Sequence, residues 1–189
     1  MVVAAADWLA VARNARRAEM VLKPLMPLPL IGVAIAAHAW WFAAALALCL
    51  AGDVLLLPQV DRFRAGLAAF LLGHLAFIGG FAALAWAPGR LVLGAPVALV
   101  ALLAAPRIAL AAPAKLRAPI VVYTVVITAM FAASWMPHRV LAELGASLFV
   151  VSDFWLAWNR FVKPVRGGRL GVIVTYHLAI GLLTLSLLL

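Results

Sequence analysis

The sequence predicts an all-α fold: a polytopic transmembrane helical bundle of seven spans plus a short N-terminal helix. Three observations carry this. First, the 189-residue chain is 68% hydrophobic and only 11% charged, whereas a soluble domain is nearer half apolar and a quarter charged. Second, the apolar residues are gathered into long runs without the alternation of a transmembrane barrel. Third, the basic residues that give a formal net charge of +9 lie between those runs. That placement assigns the charge to membrane-surface loops, with membrane lipids as neighbours, and gives no reason to expect nucleic acid.

The spans fall at 24–39, 41–57, 65–86, 91–105, 118–135, 140–158 and 170–189. Several are shorter than the roughly 20 residues that crossing prefers. Pro24, Pro27 and Pro29 crowd the start of the first. Pro96 is expected to kink the fourth, whose apolar run continues toward Leu110. The segment 2–12 is too short to cross, which leaves a partial or surface helix, or the remnant of an eighth span. Arg and Glu follow it rather than a small-residue cleavage site, so it does not read as a cleavable signal. A single cysteine, Cys49, allows no intrachain disulfide and reads as a small packing residue. The length suits a single compact bundle, so residues 1–189 read as one integral membrane domain; no strong repeat appears, and the Gly-Asp and Ser-Asp pairs read as two independent sites.

The basic residues test the span count. One side receives Arg13, Arg16, Arg17, Lys23, Arg62, Arg64, Arg107, Lys115, Arg117, Arg160, Lys163, Arg166 and Arg169, which is 13 of 15; the other receives Arg90 and Arg139. A wrong count would scramble this split. By the positive-inside rule the first side is cytoplasmic and the C-terminus faces out. Trp40, Trp41, Trp86 and Trp135 mark the outer edge, and Trp155 and Trp158 the inner one. The Ala- and Arg-rich composition points to a bacterial inner membrane.

Polar residues within the spans are the functional candidates. Of six acidic residues, Asp53 and Asp153 sit inside apolar runs, each about 6–7 Å from the inner end of its span. Tyr123 and Tyr176 lie at similar depth, Lys23 at the inner edge, and His74 near mid-membrane, about 14 Å in. His38 and His138 belong to the opposite edge. Each candidate has a plainer alternative. Asp53 with Lys23, or Asp153 with Arg160, would be a structural ion pair. His74 would be a satisfied core residue, and the tyrosines interface anchors. His177 would merely neighbour the cavity, and Ser152 would bond back to its own backbone. Against this, intramembrane charges are costly and by default mark function. Gly66, Phe70 and His74 fall on one helical face at i, i+4 and i+8, as do Gly145, Phe149 and Asp153, which suggests two spans facing one cavity.

Two carboxylates in a partly dry cavity would have different environments, one able to hold a proton and the other ionised, as general acid–base chemistry requires. An apolar interior with a basic mouth suits an amphiphile whose phosphate lies near Lys23, Arg62 or Arg160. A zinc-dependent lipid hydrolase using His74, His177 and the aspartates is a rival, but no His-x-x-x-His or Cys-x-x-Cys spacing occurs. The expectation is no metal and no cofactor. A small proton- or cation-coupled transporter is a further alternative, for which matched broken helices would be the sign. No Gly-rich phosphate loop or Gly-x-Ser-x-Gly elbow is present.

These residues carry a resemblance. "KPL" at 23–25, "GDVLLL" at 52–57, "FRAGLAAFLLGHLAF" at 63–77, Tyr123 with Met130, and "GASLFVVSDFWLAWNRF" at 145–161 together resemble the YhhN-type lysoplasmalogenase family of multi-pass membrane proteins. The resemblance implies a hydrolase that cleaves the vinyl ether bond of a 1-alkenyl lysophospholipid to a fatty aldehyde and a glycerophospho-alcohol. It also implies Asp53 and Asp153 as the catalytic pair, with Lys23, His74, Tyr123, Ser152, Tyr176 and His177 as substrate-binding or supporting residues. The chain departs from the family pattern in two places. Only residues 2–12 stand where a span usually precedes "KPL". Ile180 stands about where a glutamine is expected after Thr175 and Tyr176, beside the unusual His177.

Overall fold

The computed structural model describes residues 2–189 and is built of helices joined by short turns. In chain order these are α1 (Val2–Ala12), α2 (Arg16–Leu25), α3 (Pro27–Ala36), α4 (Trp40–Leu55), α5 (Phe63–Leu84), a 3-10 segment (Pro88–Gly94), α6 (Ala95–Ala111), α7 (Ala114–Ala133), α8 (Val140–Phe161) and α9 (Gly168–Leu185). Among the described residues there is no strand, so the protein is a membrane helical bundle. Six helical stretches are long and apolar enough to cross: Arg16–Ala36, Phe63–Leu84, Pro88–Ala111, Ala114–Ala133, Val140–Phe161 and Gly168–Leu185. The 16-residue α4 is shorter, about 24 Å at helical rise.

Three prolines act differently from expectation. The first apolar stretch begins at Arg16, not at residue 24, and Pro24 lies inside α2. Pro27 opens α3 at a position where a helix needs no N–H donor, so the chain continues through Met26 with little break. Pro96 likewise sits at the start of α6 rather than kinking its middle; Pro106 is the interior proline of that helix. The backbone changes from 3-10 to α at Gly94, where a Cβ would lie 2.7 Å from the Cα of Ala132.

The outside of the bundle is apolar as well as its core. Leu99, Val100 and Leu103 of α6 are 58–70% exposed, and Val121, Val122 and Val125 of α7 about half exposed, the aliphatic surface that lipid covers. Inside, α4 lies along α5, α8 along α9, and α6 along α7, while α5 packs on α7, and α1 on α2 and α9. Association between helices in lipid depends on close packing more than on hydrophobic transfer. Gly145 supplies that closeness: a Cβ there would lie 2.9 Å from the carbonyl oxygen of Ala179 and 3.0 Å from the amide nitrogen of Leu183. Backbone cannot give way as a side chain can. Gly145→Ala is therefore expected to destabilise the α8–α9 pair by about 1–3 kcal/mol, read as a lower unfolding midpoint in detergent. An unchanged midpoint would show that the two helices separate freely.

Contacts between turns sort the two ends of the bundle. Gln59 donates to the Arg16 carbonyl at 3.3 Å, Arg160 to Asp61 at 3.2 Å, and Arg169 to Asn14 at 3.3 Å. At the other end Arg90 and His138 are bonded at 2.6 Å, and Arg139 donates to the Ser186 carbonyl.

Candidate active site

Helix packing brings Asp53 of α4 and Asp153 of α8 to one polar cavity of about 160 Å³, each held by a tyrosine from another helix. Tyr176 of α9 donates its hydroxyl to Asp53 Oδ2 at 2.7 Å. Tyr123 of α7 donates to Asp153 Oδ2. Asp53 is 2% exposed, and its Oδ1 lies 3.7 Å from the Lys23 ammonium. His74 Nε2 lies 2.9 Å from the Tyr123 hydroxyl and 3.3 Å from Asp153 Oδ2. Since Tyr123 gives its proton to Asp153, a His74 tautomer protonated at Nε2 serves both oxygens. His74 Nδ1 is then a buried atom with no partner.

The local reasons for this geometry are aromatic and glycine-based. A Cβ on Gly52 would fall 2.5 Å from the Phe70 ring, so the glycine before Asp53 is what admits that ring. Gly66 receives Leu56, and Gly145 receives α9. Phe70 and Phe149 meet edge to face at 6.4 Å. Phe149 also meets the His74 ring at 4.7 Å and the Tyr176 ring at 5.5 Å. The two Gly–Phe–polar faces thus share one wall, with His74 and Asp153 in contact beyond it.

Two cavities meet at this wall. One is polar, lined by Glu19, Lys23, Asp53, Ser152, Asp153, Asn159, Arg169 and Tyr176. The other is an apolar groove among α5, α6, α7 and α8, lined by Phe63, Leu67, Ala101, Ala105, Ile108, Ile120, Ile127, Val150, Phe154 and Phe161. Leu56, Phe70, Asp153 and Leu156 belong to both, while Asp53 belongs to the polar one and Tyr123 to the groove. Asp153 therefore stands at the boundary between a place for hydrocarbon and a place for charge.

Several sequence expectations change. Asp153 has no ion pair with Arg160, whose guanidinium pairs with Asp61 and stacks 4.1 Å over the Phe63 ring. Neither Arg62 nor Arg160 lines the polar cavity; Lys23 and Arg169 are its cations. The tyrosines bond the carboxylates rather than serving only as anchors at the bilayer surface. Ser152 donates to the Val172 carbonyl of α9 at 3.0 Å, a tie across helices rather than back to its own backbone. Among the described residues, no group of three or more His, Cys, Asp or Glu is arranged to hold a metal.

His177 sits apart from the carboxylate pair. It accepts the Trp8 indole N–H at Nδ1, 3.1 Å, which leaves the ring proton on Nε2. That nitrogen lies 3.9 Å from Asp7 Oδ2, within ion-pair reach but too far for a hydrogen bond. Asp7 is fully buried, and both its oxygens lack partners. Sequence reasoning missed Asp7, Glu19, Asn159 and Arg169. Asp7 carried the same signal as Asp53, a carboxylate in an apolar run, but in a segment too short to cross. Glu19 and Arg169, 2.7 Å apart, looked like solvated loop charges.

The hydroxyl donors allow a direct test. Tyr123→Phe and Tyr176→Phe each remove one hydrogen bond to a carboxyl oxygen and keep the ring. Each is expected to lower activity by about tenfold, measured as turnover in detergent micelles. Full activity in both would mean that the hydroxyls do not set carboxylate position.

A pair of carboxyls inside the bundle, a chamber lined by both cations and carboxyls, and an apolar groove define a polytopic membrane protein built around an amphiphile-sized site. Residues 18–187 match the family model described as the YhhN family, and the chain belongs to that family. A lysoplasmalogenase TMEM86B of Sus scrofa is 34% identical over 144 residues, 74% of this chain and 60% of that protein. The TMEM86B lysoplasmalogenase of Rattus norvegicus is 30% identical over 169 residues, covering 88% and 70%. That of Homo sapiens is 32% identical over 133 residues, covering 67% and 54%. The chain thus spans 60% of the pig relative's length and 70% of the rat relative's. No solved structure matches it.

Proposed function

We propose that the protein is a membrane-embedded lysoplasmalogenase-type hydrolase, cleaving the vinyl ether bond of 1-alkenyl lysophospholipids with Asp53 and Asp153. The observation that carries this is the position of Asp153 at the junction of groove and chamber. In a lysolipid with its chain in the groove and its head group in the chamber, the ether bond falls at that junction. The names of the relatives support the same substrate class.

The geography of the two cavities suggests the roles. The alkenyl carbon next to the ether carbon belongs to the chain, so Asp153, which faces the groove, delivers a proton to it. This leaves an oxocarbenium ion at the ether carbon. Water belongs in the polar chamber, where Asp53 takes its proton as it adds, giving a hemiacetal. Asp53 then returns that proton to the glycerol oxygen as the C–O bond breaks, and Asp153 takes the proton of the hemiacetal hydroxyl. The products are a fatty aldehyde and a glycerophospho-alcohol. One water is consumed, and both carboxyls end as they began. Tyr123, Tyr176 and His74 position the carboxyls through the bonds described above.

The reading includes one integral membrane domain of seven spans, α4 among them. The Arg-rich turns lie in the cytoplasm of a bacterial cell, the C-terminus outside, and substrate enters from the inner leaflet; the 13-to-2 split of basic residues supports this orientation. The test is release of aldehyde, with equal glycerophospho-alcohol, from a 1-alkenyl lysophospholipid by purified protein. Ion or proton flux in proteoliposomes without any aldehyde would overturn the proposal in favour of a transporter.

A further inference from the structure

We propose that Arg169, with Lys23, forms the subsite for the phosphodiester of the lipid substrate, and that Arg169 sets preference for phosphate-bearing over phosphate-free ethers. The inference rests on the hydrolase reading and adds a residue to it. Both cations line the polar chamber that Asp153 closes on its apolar side. Arg169 spends one N–H on Glu19 Oε2 at 2.7 Å and one on Asn14 Oδ1 at 3.3 Å. A guanidinium has five N–H donors in a planar fork suited to phosphate, so three remain. The Lys23 ammonium has three, with one directed at Asp53 from 3.7 Å. Asn159 also lines the chamber, with its amide oxygen used by the Val165 N–H.

The pairing of Arg169 fixes it in place. Glu19 is only 4% exposed and anchors the guanidinium at the mouth of the chamber. The second anchor, Asn14, lies in the turn between α1 and α2. A cation tethered by two partners, with its remaining donors unspent, loses less entropy when an anion arrives than a free side chain would. Arg160, which also lies at this end, is used by Asp61 and by the Phe63 ring.

Arg169→Gln is expected to raise KM for a 1-alkenyl lysophospholipid by about 10- to 100-fold, with kcat changed less than about threefold. KM for 1-alkenylglycerol, which lacks the phosphodiester, should move less than about twofold. Equal loss on both substrates would overturn the proposal and make Arg169 a structural tie between α2 and α9. Glu19→Gln separates the same two roles, because Gln keeps an oxygen for the guanidinium and removes only the charge: a tie that depends on the ion pair predicts a KM raised alike on both substrates and a lower unfolding midpoint, whereas a phosphate subsite predicts an unchanged or lower KM for the phospholipid. Glycerophosphoethanolamine should inhibit the unvaried protein competitively, and inorganic phosphate at least tenfold more weakly by concentration, as a rough guide. Equal inhibition by both would assign the site to free phosphate and overturn the lipid reading. If no ether is hydrolysed at all, glycerophosphoethanolamine binding by calorimetry still decides. Loss of binding in Arg169→Gln supports the subsite, and retained or absent binding rejects it.

Discussion

Replacing Asp153 by Asn is expected to lower kcat for aldehyde release by about three orders of magnitude while KM and the unfolding midpoint stay near those of the unvaried protein. The amide keeps the shape of the carboxyl and an oxygen to accept from Tyr123, so the packing against His74 and Phe149 has no reason to move. What it loses is the ability to give up a proton to carbon and take one back. Asp53→Asn should cost about two orders, because solvent water can still attack an oxocarbenium ion once it has formed. The double variant should fall little below Asp153→Asn alone, since groups that act on one transition state do not contribute additively. If either single variant keeps more than about a tenth of the activity, the acid–base assignment fails, whatever the substrate proves to be.

Much of the fold was legible because a bilayer enforces a simple rule. Backbone polar groups must be satisfied within the segment, so apolar runs become helices, and the expected spans overlap the helices found. Asp53, Asp153 and His74 were legible for the same reason: polar residues in lipid have to be explained. Their partners were not. Nothing in the chain order says that Tyr176 bonds Asp53 while Tyr123 bonds Asp153, because that depends on how α9 lies against α4 and α7 against α8. The Arg160 alternative shows the limit. Two turns along a helix suggest an ion pair between Arg160 and Asp153, yet the turn after α4 brings Asp61 to Arg160 instead. Asp7 was lost to a length criterion. Packed against α9, even an 11-residue helix can bury a carboxylate beside His177. The polar chamber was only half legible, since Glu19 and Arg169 are ordinary loop charges until α2 folds back toward the start of α9.

Phe149→Ala should separate packing from chemistry. The ring is fully buried and touches four others: Phe70, His74, Phe77 and Tyr176, at 4.7–6.4 Å between centroids. In a soluble core its loss would cost about 3–5 kcal/mol. Here the transfer part largely vanishes, because the separated helices also sit in an apolar solvent. The cavity part remains, at about 24 cal/mol per Å³ over roughly 100 Å³, or about 2 kcal/mol. The unfolding midpoint should therefore fall by about 4–8 °C. Activity should fall by about tenfold, because His74 and Tyr176 lose the surface that fixes their rings, and through them both carboxyls lose their orientation. Phe149→Leu refills most of the space without restoring the flat edge and should recover stability more than activity. Benzene, which enters apolar cavities of this size, should raise the midpoint of the Ala variant and leave the unvaried protein unaffected. Stability and activity recovering in step with Leu would instead mean that Phe149 contributes volume alone, and that the tyrosine and histidine are oriented by their hydrogen bonds without help from the aromatic wall.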